Sequence, residues 1–175
     1  MIKKIAFATD LGVLGPYVLC HALEISKQFN AKIDIIHVVE PMGVFAESIL
    51  DIYLPSKDLE RLRKEGVKDV METIKHRVTA TMMSEFANND DESYLGDIHV
   101  IRGQAAETIL QYVDDNHVDM IVMGAHGERG ESLCGLGSVA SKVLQRSSVP
   151  VLTVPLNRVT NQLGVVRNDS LRKIF

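Results

Sequence analysis

The chain has no tryptophan, few other aromatic residues and only two cysteines among its 175 residues. Cys20 and Cys134 are far apart and form no C-x-x-C pair, so the sequence favours reduced thiols over a disulfide framework. No pair of histidine or cysteine residues has a recognised zinc spacing either. The sequence therefore predicts no metal site.

Long apolar runs are also absent. No run approaches the roughly eighteen residues that a membrane span requires. The N-terminal apolar run ends at Thr9-Asp10, which is too early for a signal peptide. We therefore expect a cytoplasmic protein that does not insert into a membrane.

An excess of positive charge is missing as well. The chain has 19 lysine and arginine residues against 23 aspartate and glutamate residues, for a net charge of −4. This balance argues against a general nucleic-acid surface, so no nucleic-acid partner is expected. The composition is that of an ordinary globular chain, and its length suits one domain with a substantial core.

Short apolar runs alternate with helical patterns along the chain. Five runs predict strands, at residues 5–9, 33–39, 98–101, 120–123 and 149–154. The first of them is consistent with a strand buried on both faces. The segments between them repeat apolar residues at helical spacing. This alternation predicts a single-domain α/β fold, a doubly wound five-stranded parallel sheet of order 3-2-1-4-5 with helices on both faces. In such a sheet, ligands bind where the order reverses, here between the first and fourth strands.

Two stretches carry weaker patterns. Residues 40–56 are punctuated by proline and glycine and could form a lid, a dimer contact or a short helix. The acidic run Asp90-Asp91-Glu92 is predicted to lie in a solvated loop.

A glycine-rich segment follows the fourth predicted strand and precedes a helix with Ser138 at its start. Its glycines are Gly124, Gly127, Gly130, Gly135 and Gly137. A strand, a glycine loop and a helix start together present free backbone N–H groups to an anion. The serine hydroxyl can cap the helix or bond a phosphate oxygen. The segment therefore predicts a phosphate-binding loop.

Two common phosphate motifs do not account for this loop. The P-loop is excluded because the chain contains no Gly-Lys pair. Residues 135–140 fit G-x-G-x-x-A, but no strand directly precedes them and no acidic residue follows about twenty positions later. A dinucleotide fingerprint is therefore disfavoured.

A third pattern fits in full. Gly124-x2-Gly127-x9-Gly137-Ser138 resembles the ATP-binding signature of the universal stress protein family. Residues 138–155 resemble the closing helix and strand of that family, and residues 3–10 resemble its opening strand. The resemblance implies a nucleotide-binding domain at residues 1–155 and a C-terminal tail at residues 156–175.

By this resemblance, Asp10 and the backbone near Val38 hold the adenosine end of ATP, and the glycine loop holds the phosphates. A carboxylate would repel phosphates but can accept hydrogen bonds from ribose hydroxyls or an amino group. Val39 could join Ala8, Val38 and Met123 around the flat base. The predicted nucleotide-binding residues are Ala8, Thr9, Asp10, Val38, Met123, Gly124, Gly127, Arg129, Gly137, Ser138 and Val139. Mg²⁺ could accompany ATP, although no carboxylate cluster is dedicated to it.

Simpler roles remain open for several polar residues. Asp10 could only cap a turn or the first helix, and Arg129 could be a solvated loop charge. His126 could act as a base, contact the γ-phosphate or be merely polar surface. His37 and His99 lie in predicted strands, where we expect hydrogen-bonded core or rim residues.

The sequence thus predicts an ATP-binding universal stress protein that acts as a nucleotide-responsive regulatory module in the stress response. No Walker lysine, Ser-His-Asp set or obvious general base is present, so no catalytic residue is assigned and at most slow ATP hydrolysis is expected. The alternatives are a nucleotide hydrolase that uses His126 or Asp10, and an interaction protein of the same fold without ATP affinity.

The resemblance also implies a homodimer through the last strand. A regulatory protein partner is expected as well, which the sequence does not identify. Pairing through that strand would hide an exposed sheet edge. The tail at residues 156–175 could be a frayed end or an arm that packs on the partner subunit.

Overall fold

The computed structural model of the chain describes residues 1–41, 67–88, 91–126 and 135–156. The elements in chain order are β1 Lys4–Ala8, α1 Gly15–Phe29, β2 Lys32–Val39, α2 Val67–Asn88, β3 Leu95–Arg102, α3 Ala105–Asp115, β4 Met120–Gly124, α4 Ser138–Arg146 and β5 Val151–Val154. A short 3₁₀ turn, Glu92–Tyr94, precedes β3. The strands form one parallel sheet of order β3-β2-β1-β4-β5. The predicted doubly wound sheet of order 3-2-1-4-5 is confirmed.

The sheet separates two apolar layers because successive side chains of a strand point to opposite faces. One layer, here called the α1 face, joins β-strand residues to α1 and α2, and includes Ile5, Phe7, Ile33, Ile35, Val18, Leu19, Val78 and Phe86. The opposite layer, the α3 face, joins the strands to α3 and α4, and includes Ala6, Ala8, Ile36, Met123, Ile109, Val113, Ala140 and Val143. Helices therefore cover both faces, as predicted.

The ends of the elements follow local chemistry. Asn30 ends α1 in the left-handed conformation, with φ of 52°, which asparagine tolerates well. β5 begins at Val151, directly after Pro150, because proline has no N–H to contribute to a ladder. β3 begins at Leu95, three residues before the apolar run that predicted it, since an edge strand accommodates polar residues such as Asp97.

The prediction of a solvated acidic loop is wrong for Asp91. Its side chain is buried, and a carboxylate oxygen lies 2.8 Å from Nζ of Lys27 in the last turn of α1. The same hydrogen bond raises the pKa of the Lys27 ammonium group. The backbone amide of Asp91 donates to the carbonyl of Phe86 at 2.9 Å. A buried carboxylate is tolerated here because it is paired and hydrogen-bonded, which the run of acidic letters could not reveal.

A second buried carboxylate, Asp34, lies near the start of β2 on the α3 face. Its Oδ2 accepts a 2.8 Å hydrogen bond from the Tyr112 hydroxyl and lies 3.3 Å from Nζ of Lys4. Its Oδ1 accepts the amide of Asp97 at 3.0 Å. Burial and the bond to Asp34 raise the pKa of the Tyr112 hydroxyl, which therefore stays protonated as a donor. This cluster fixes β3 against β2 at the amino ends of the strands.

No helix among the described residues is long and apolar enough to cross a membrane. Residues 42–56, where a lid, a dimer contact or a short helix was considered, lie outside the described ranges. The same holds for the tail beyond Leu156.

Candidate functional site

The carboxyl ends of β1 and β4 lie side by side in the middle of the sheet. Ala8 is in register with Met123, and the strand order reverses between these two strands. Both side chains are buried on the α3 face. The two stretches that leave the strands here, Thr9-Asp10 and Gly124-Ala125, are therefore neighbours, at the position where parallel α/β sheets bind ligands.

The loop after β1 is shaped by two side-chain hydrogen bonds. Thr9 Oγ1 accepts the amide of Leu11 at 3.0 Å, and Asp10 Oδ1 accepts the amide of Gly12 at 3.0 Å. Leu11 adopts a left-handed conformation, with φ of 62°. Asp10 thus forms the turn that the sequence allowed. This does not prevent a ligand contact, because the carboxylate is exposed and each of its oxygens can accept more than one hydrogen bond.

The β1–β2 ladder ends at this loop. Its last bond runs from the Thr9 amide to the carbonyl of Ile36, at 3.0 Å. The Thr9 carbonyl then accepts a hydrogen bond from Nδ1 of His37 at 2.9 Å. The prediction of a hydrogen-bonded rim residue is confirmed for His37. The same prediction is wrong for His99. Its Nε2 atom is buried and has no hydrogen-bond partner among the described residues. The centroid of its ring lies 4.8 Å from that of Tyr112.

The start of α4 presents backbone N–H groups that have no partner among the described residues. Gly137 is the N-cap residue, in an extended conformation with φ of −60° and ψ of 156°. The first helical bond runs from the Ser141 amide to the Gly137 carbonyl at 2.8 Å. The amides of Ser138, Val139 and Ala140 precede it, and none of them donates to a residue in the described part of the chain. Such a helix start carries partial positive charge and suits an anion.

Gly137 and Ser138, both predicted phosphate contacts, have different places at this helix start. The Gly137 amide donates to the carbonyl of Ala125 at 2.8 Å, so it is not free to bind a phosphate in this arrangement. Gly137, and not Ser138, is the N-cap residue, and no side chain caps this helix start. The Ala140 amide, which was not among the predicted contacts, is a third donor without a partner in the described part of the chain. The signal that could have identified it is its place in the first turn, before the first intrahelical bond.

The two ends of the glycine loop are joined near their bases. Besides the Gly137–Ala125 bond, His126 Nε2 donates to the carbonyl of Gly135. Gly135 has φ of 114°, a conformation that favours glycine. Nδ1 of His126 is buried and has no hydrogen-bond partner among the residues that the structure describes. Gly127, Arg129 and Cys134 lie outside those residues.

The apolar contributors to the predicted base site divide between the faces of the sheet. Ala8, Val38 and Met123 share the α3 face. Val39 follows Val38 in β2, so its side chain points to the opposite face. A base resting on the α3 face would contact the first three residues and not Val39. Within the described ranges, no group of three His, Cys, Asp or Glu side chains could hold a metal ion.

Comparison with known sequences gives a consistent family match. The universal stress protein family matches residues 1–155 of the chain. Universal stress protein MJ0577 of Methanocaldococcus jannaschii is 26% identical over 159 residues, covering 88% of this chain and 95% of that protein. Universal stress protein YxiE of Bacillus subtilis is 28% identical over 159 residues, covering 88% and 99% respectively.

Solved structures share the fold. The structure of MJ0577 is similar with a TM-score of 0.65 and 22% identity, over 89% of this chain and 96% of that chain. A universal stress protein crystallised in complex with cAMP is similar with a TM-score of 0.56 and 20% identity, over 87% of this chain and 96% of that chain.

Proposed function

The chain belongs to the universal stress protein family, and we propose that it binds ATP at the carboxyl ends of β1 and β4 as a nucleotide-responsive regulatory module in the stress response. The observation that carries the proposal is the set of three amides at the start of α4, those of Ser138, Val139 and Ala140, which donate to no residue that the structure describes. They begin the helix that follows β4, next to the strand that leads into Asp10. A universal stress protein of the same fold has been crystallised with cAMP, an adenine nucleotide, which supports this class of ligand.

The phosphates would lie at the start of α4. The Ser138 and Val139 amides and the Ser138 hydroxyl would donate to phosphate oxygens, and the Ala140 amide would add a third backbone donor. Gly124, Gly127 and Gly137 would let the phosphates approach the backbone closely. Arg129 would offset part of the phosphate charge.

The nucleoside would lie toward β1 and β2. Asp10 would accept hydrogen bonds from ribose hydroxyls, since its charge disfavours a place beside the phosphates. Ala8, Val38 and Met123 would contact the base from the α3 face. The Thr9 carbonyl and the Val38 backbone lie at the adjoining strand ends.

Hydrolysis is expected to be slow or absent. Mg²⁺ would reach the site with ATP, held by phosphate oxygens and water, as this ion often is. Nε2 of His126 is engaged by the carbonyl of Gly135 and is not placed as a general base. The nucleotide would therefore act by occupancy, favouring one arrangement of the loop and of a partner-binding surface.

Calorimetric titration with ATP and Mg²⁺ tests the proposal. We expect binding by the wild-type protein and roughly 10- to 100-fold weaker binding by Asp10→Ala, the cost of losing a charged hydrogen-bond acceptor. Asp10→Asn should retain part of the affinity, because its Oδ1 can still accept the Gly12 amide and shape the loop. Asp115→Ala, at the exposed end of α3, is the matched control and should bind as the wild type does.

The outcome also separates the alternatives. A wild-type protein that binds no adenine nucleotide would contradict the proposal and favour an interaction protein of the same fold. Rapid phosphate release by the wild type, abolished in His126→Ala or Asp10→Ala with binding retained, would instead favour a hydrolase.

The proposed homodimer would form through β5, which is an edge strand of the sheet. The Ala125 amide donates to the Val154 carbonyl, so Val154 points toward β4 and Thr153 points outward. Thr153→Pro would remove an outward donor and leave the β4–β5 ladder bonds in place. We expect sedimentation to give a dimer for the wild type and a monomer for Thr153→Pro. A monomeric wild type would contradict the dimer.

A further inference from the structure

The backbone N–H and C=O groups of Val38 point toward β1 at a level where β1 has already ended. In a parallel ladder, the N–H and C=O of one residue point to the same neighbouring strand, and those of the next residue point to the other. The Val39 carbonyl accepts the amide of Gly103, so Val39 points to the β3 side. The Ile36 carbonyl accepts the amide of Thr9, so Ile36 points to β1. Val38 must therefore present its N–H and C=O on the β1 side.

The next bond of the β1–β2 ladder is missing. Ala8 is in register with Ile36, and a ladder continued by one step would join the Val38 amide to the Thr9 carbonyl. That carbonyl instead accepts Nδ1 of His37, at 2.9 Å. No hydrogen bond joins the backbone of Val38 to Thr9 or to another described residue outside the ladders. The His37 imidazole thus occupies the Thr9 carbonyl, which would otherwise accept the next hydrogen bond of the ladder.

We propose that His37 is a positioning residue for the nucleotide: its imidazole holds the Thr9 carbonyl, stops the β1–β2 ladder at Ile36, and leaves the Val38 N–H and C=O available to the base. This inference rests on the proposed nucleotide binding and deepens it. An adjacent backbone donor and acceptor match the edge of adenine, which offers an amino donor beside a ring-nitrogen acceptor. The Thr9 carbonyl also belongs to the peptide that leads into Asp10, so the same bond orients the proposed ribose contact.

The role of His37 depends on where its donor lies. Nδ1 is attached to Cγ of the ring, and the amide nitrogen of asparagine occupies the equivalent δ position. His37→Asn can therefore keep the bond to the Thr9 carbonyl. His37→Gln moves the amide one bond farther out, and His37→Val removes the donor and substitutes a residue that favours strands. Both of these changes should let the Val38 amide bond to the Thr9 carbonyl.

Hydrogen exchange of the Val38 amide tests this without any nucleotide. We expect the amide to exchange readily in the wild type and in His37→Asn, and to become at least about tenfold more protected in His37→Val and His37→Gln, as a new backbone hydrogen bond requires. The nitrogen resonances of the wild-type ring should show a hydrogen on Nδ1. A Val38 amide already protected in the wild type, or unchanged in all three variants, would overturn the inference.

ATP affinity supplies the second readout. We expect His37→Val and His37→Gln to bind about tenfold or more weakly, and His37→Asn to remain within about threefold of the wild type. His117→Asn is the matched control, because His117 is exposed after α3, at the opposite end of the sheet, with φ of 53°, which asparagine accepts. Melting temperatures would verify that every variant is folded.

The two proposals can fail separately. A wild type without ATP affinity would overturn the proposed function, and the nucleotide role of His37 with it. A wild type that binds ATP no better than His37→Val would overturn the positioning role alone. Equal losses in His37→Asn and His37→Val would also overturn it, because the donor at the δ position would then be irrelevant.

Discussion

Ser138→Pro should weaken ATP binding by roughly 100-fold or more and leave the fold intact, whereas Ser138→Ala should weaken it by about tenfold. Alanine removes only the hydroxyl, while proline removes the hydroxyl and the backbone N–H. The further loss in the proline variant therefore measures the amide itself. A hydrogen bond to a charged phosphate accounts for a difference of this size.

The structure indicates why proline is tolerated at this position. Ser138 is the first residue of α4, where proline is favoured because the N–H there has no intrahelical partner. Gly137 has ψ of 156°, which suits a residue before proline. Gly137 is the N-cap residue, and the Ser138 amide donates to no described residue, so neither variant removes a capping or backbone hydrogen bond from the described part of the chain. The melting temperature should therefore stay close to that of the wild type.

Ala105→Pro is the control for the proline substitution. Ala105 is the first residue of α3 and follows the edge strand β3, which is separated from β4 by β2 and β1. Its amide makes only a 3.3 Å bond to Glu40, and we assign it no nucleotide contact. Calorimetry should give this variant the affinity of the wild type. If Ser138→Pro and Ser138→Ala bound ATP equally, the backbone amide would have no part in the site.

The sequence located this helix start because the information there is local. Glycines between a strand and a helix, followed by serine, determine where free amides can occur whatever the rest of the chain does. The strand order could also be predicted, since alternating apolar runs and amphipathic helices restrict the possible topologies to a few. The predicted edge strand β3 was too short, because polar residues within the strand interrupt the apolar pattern.

The contacts that could not be predicted from the sequence join residues that are distant along the chain. The Gly137 amide donates to the carbonyl of Ala125, at the other end of the glycine loop. The His37 ring bonds to Thr9, 28 residues away, and changes which atoms of Val38 are free. Asp91 is buried because Lys27 neutralises it. Each of these contacts is decided by tertiary packing, which no spacing of residues within one element encodes.

The contact between Asp34 and Gly96 is another such case, and it leads to the largest predicted loss of stability. The β2–β3 register shifts between Ile33 and Ile35, so that Gly96 and Asp97 together oppose Asp34 in a β-bulge. A Cβ atom on Gly96 would lie 2.2 Å from Asp34 Oδ1 and 3.0 Å from the Ile33 carbonyl oxygen. Only glycine fits this close approach.

Gly96→Ala should therefore lower the free energy of unfolding by roughly 2–4 kcal/mol, measured by urea denaturation. The carboxylate cannot move aside cheaply, because it accepts hydrogen bonds from Tyr112 and from the Asp97 amide in a buried place. Gly103→Ala is the matched control: its Cβ would lie 2.3 Å from Thr108 Oγ1, at the end of a partly exposed side chain that can rotate, so it should cost less than about 1 kcal/mol.

A double-mutant cycle shows whether the carboxylate is the cause. Asp34→Ala should itself destabilise the protein, because it leaves the buried Tyr112 hydroxyl without its acceptor. Adding Gly96→Ala to Asp34→Ala should then cost at least about 1 kcal/mol less than it costs in the wild type, since the new methyl group no longer meets Oδ1. Additive losses would instead assign the strain to the Ile33 carbonyl. ATP affinity of the folded protein should be unchanged, because the bulge lies at the amino ends of the strands and the proposed nucleotide site lies at their carboxyl ends.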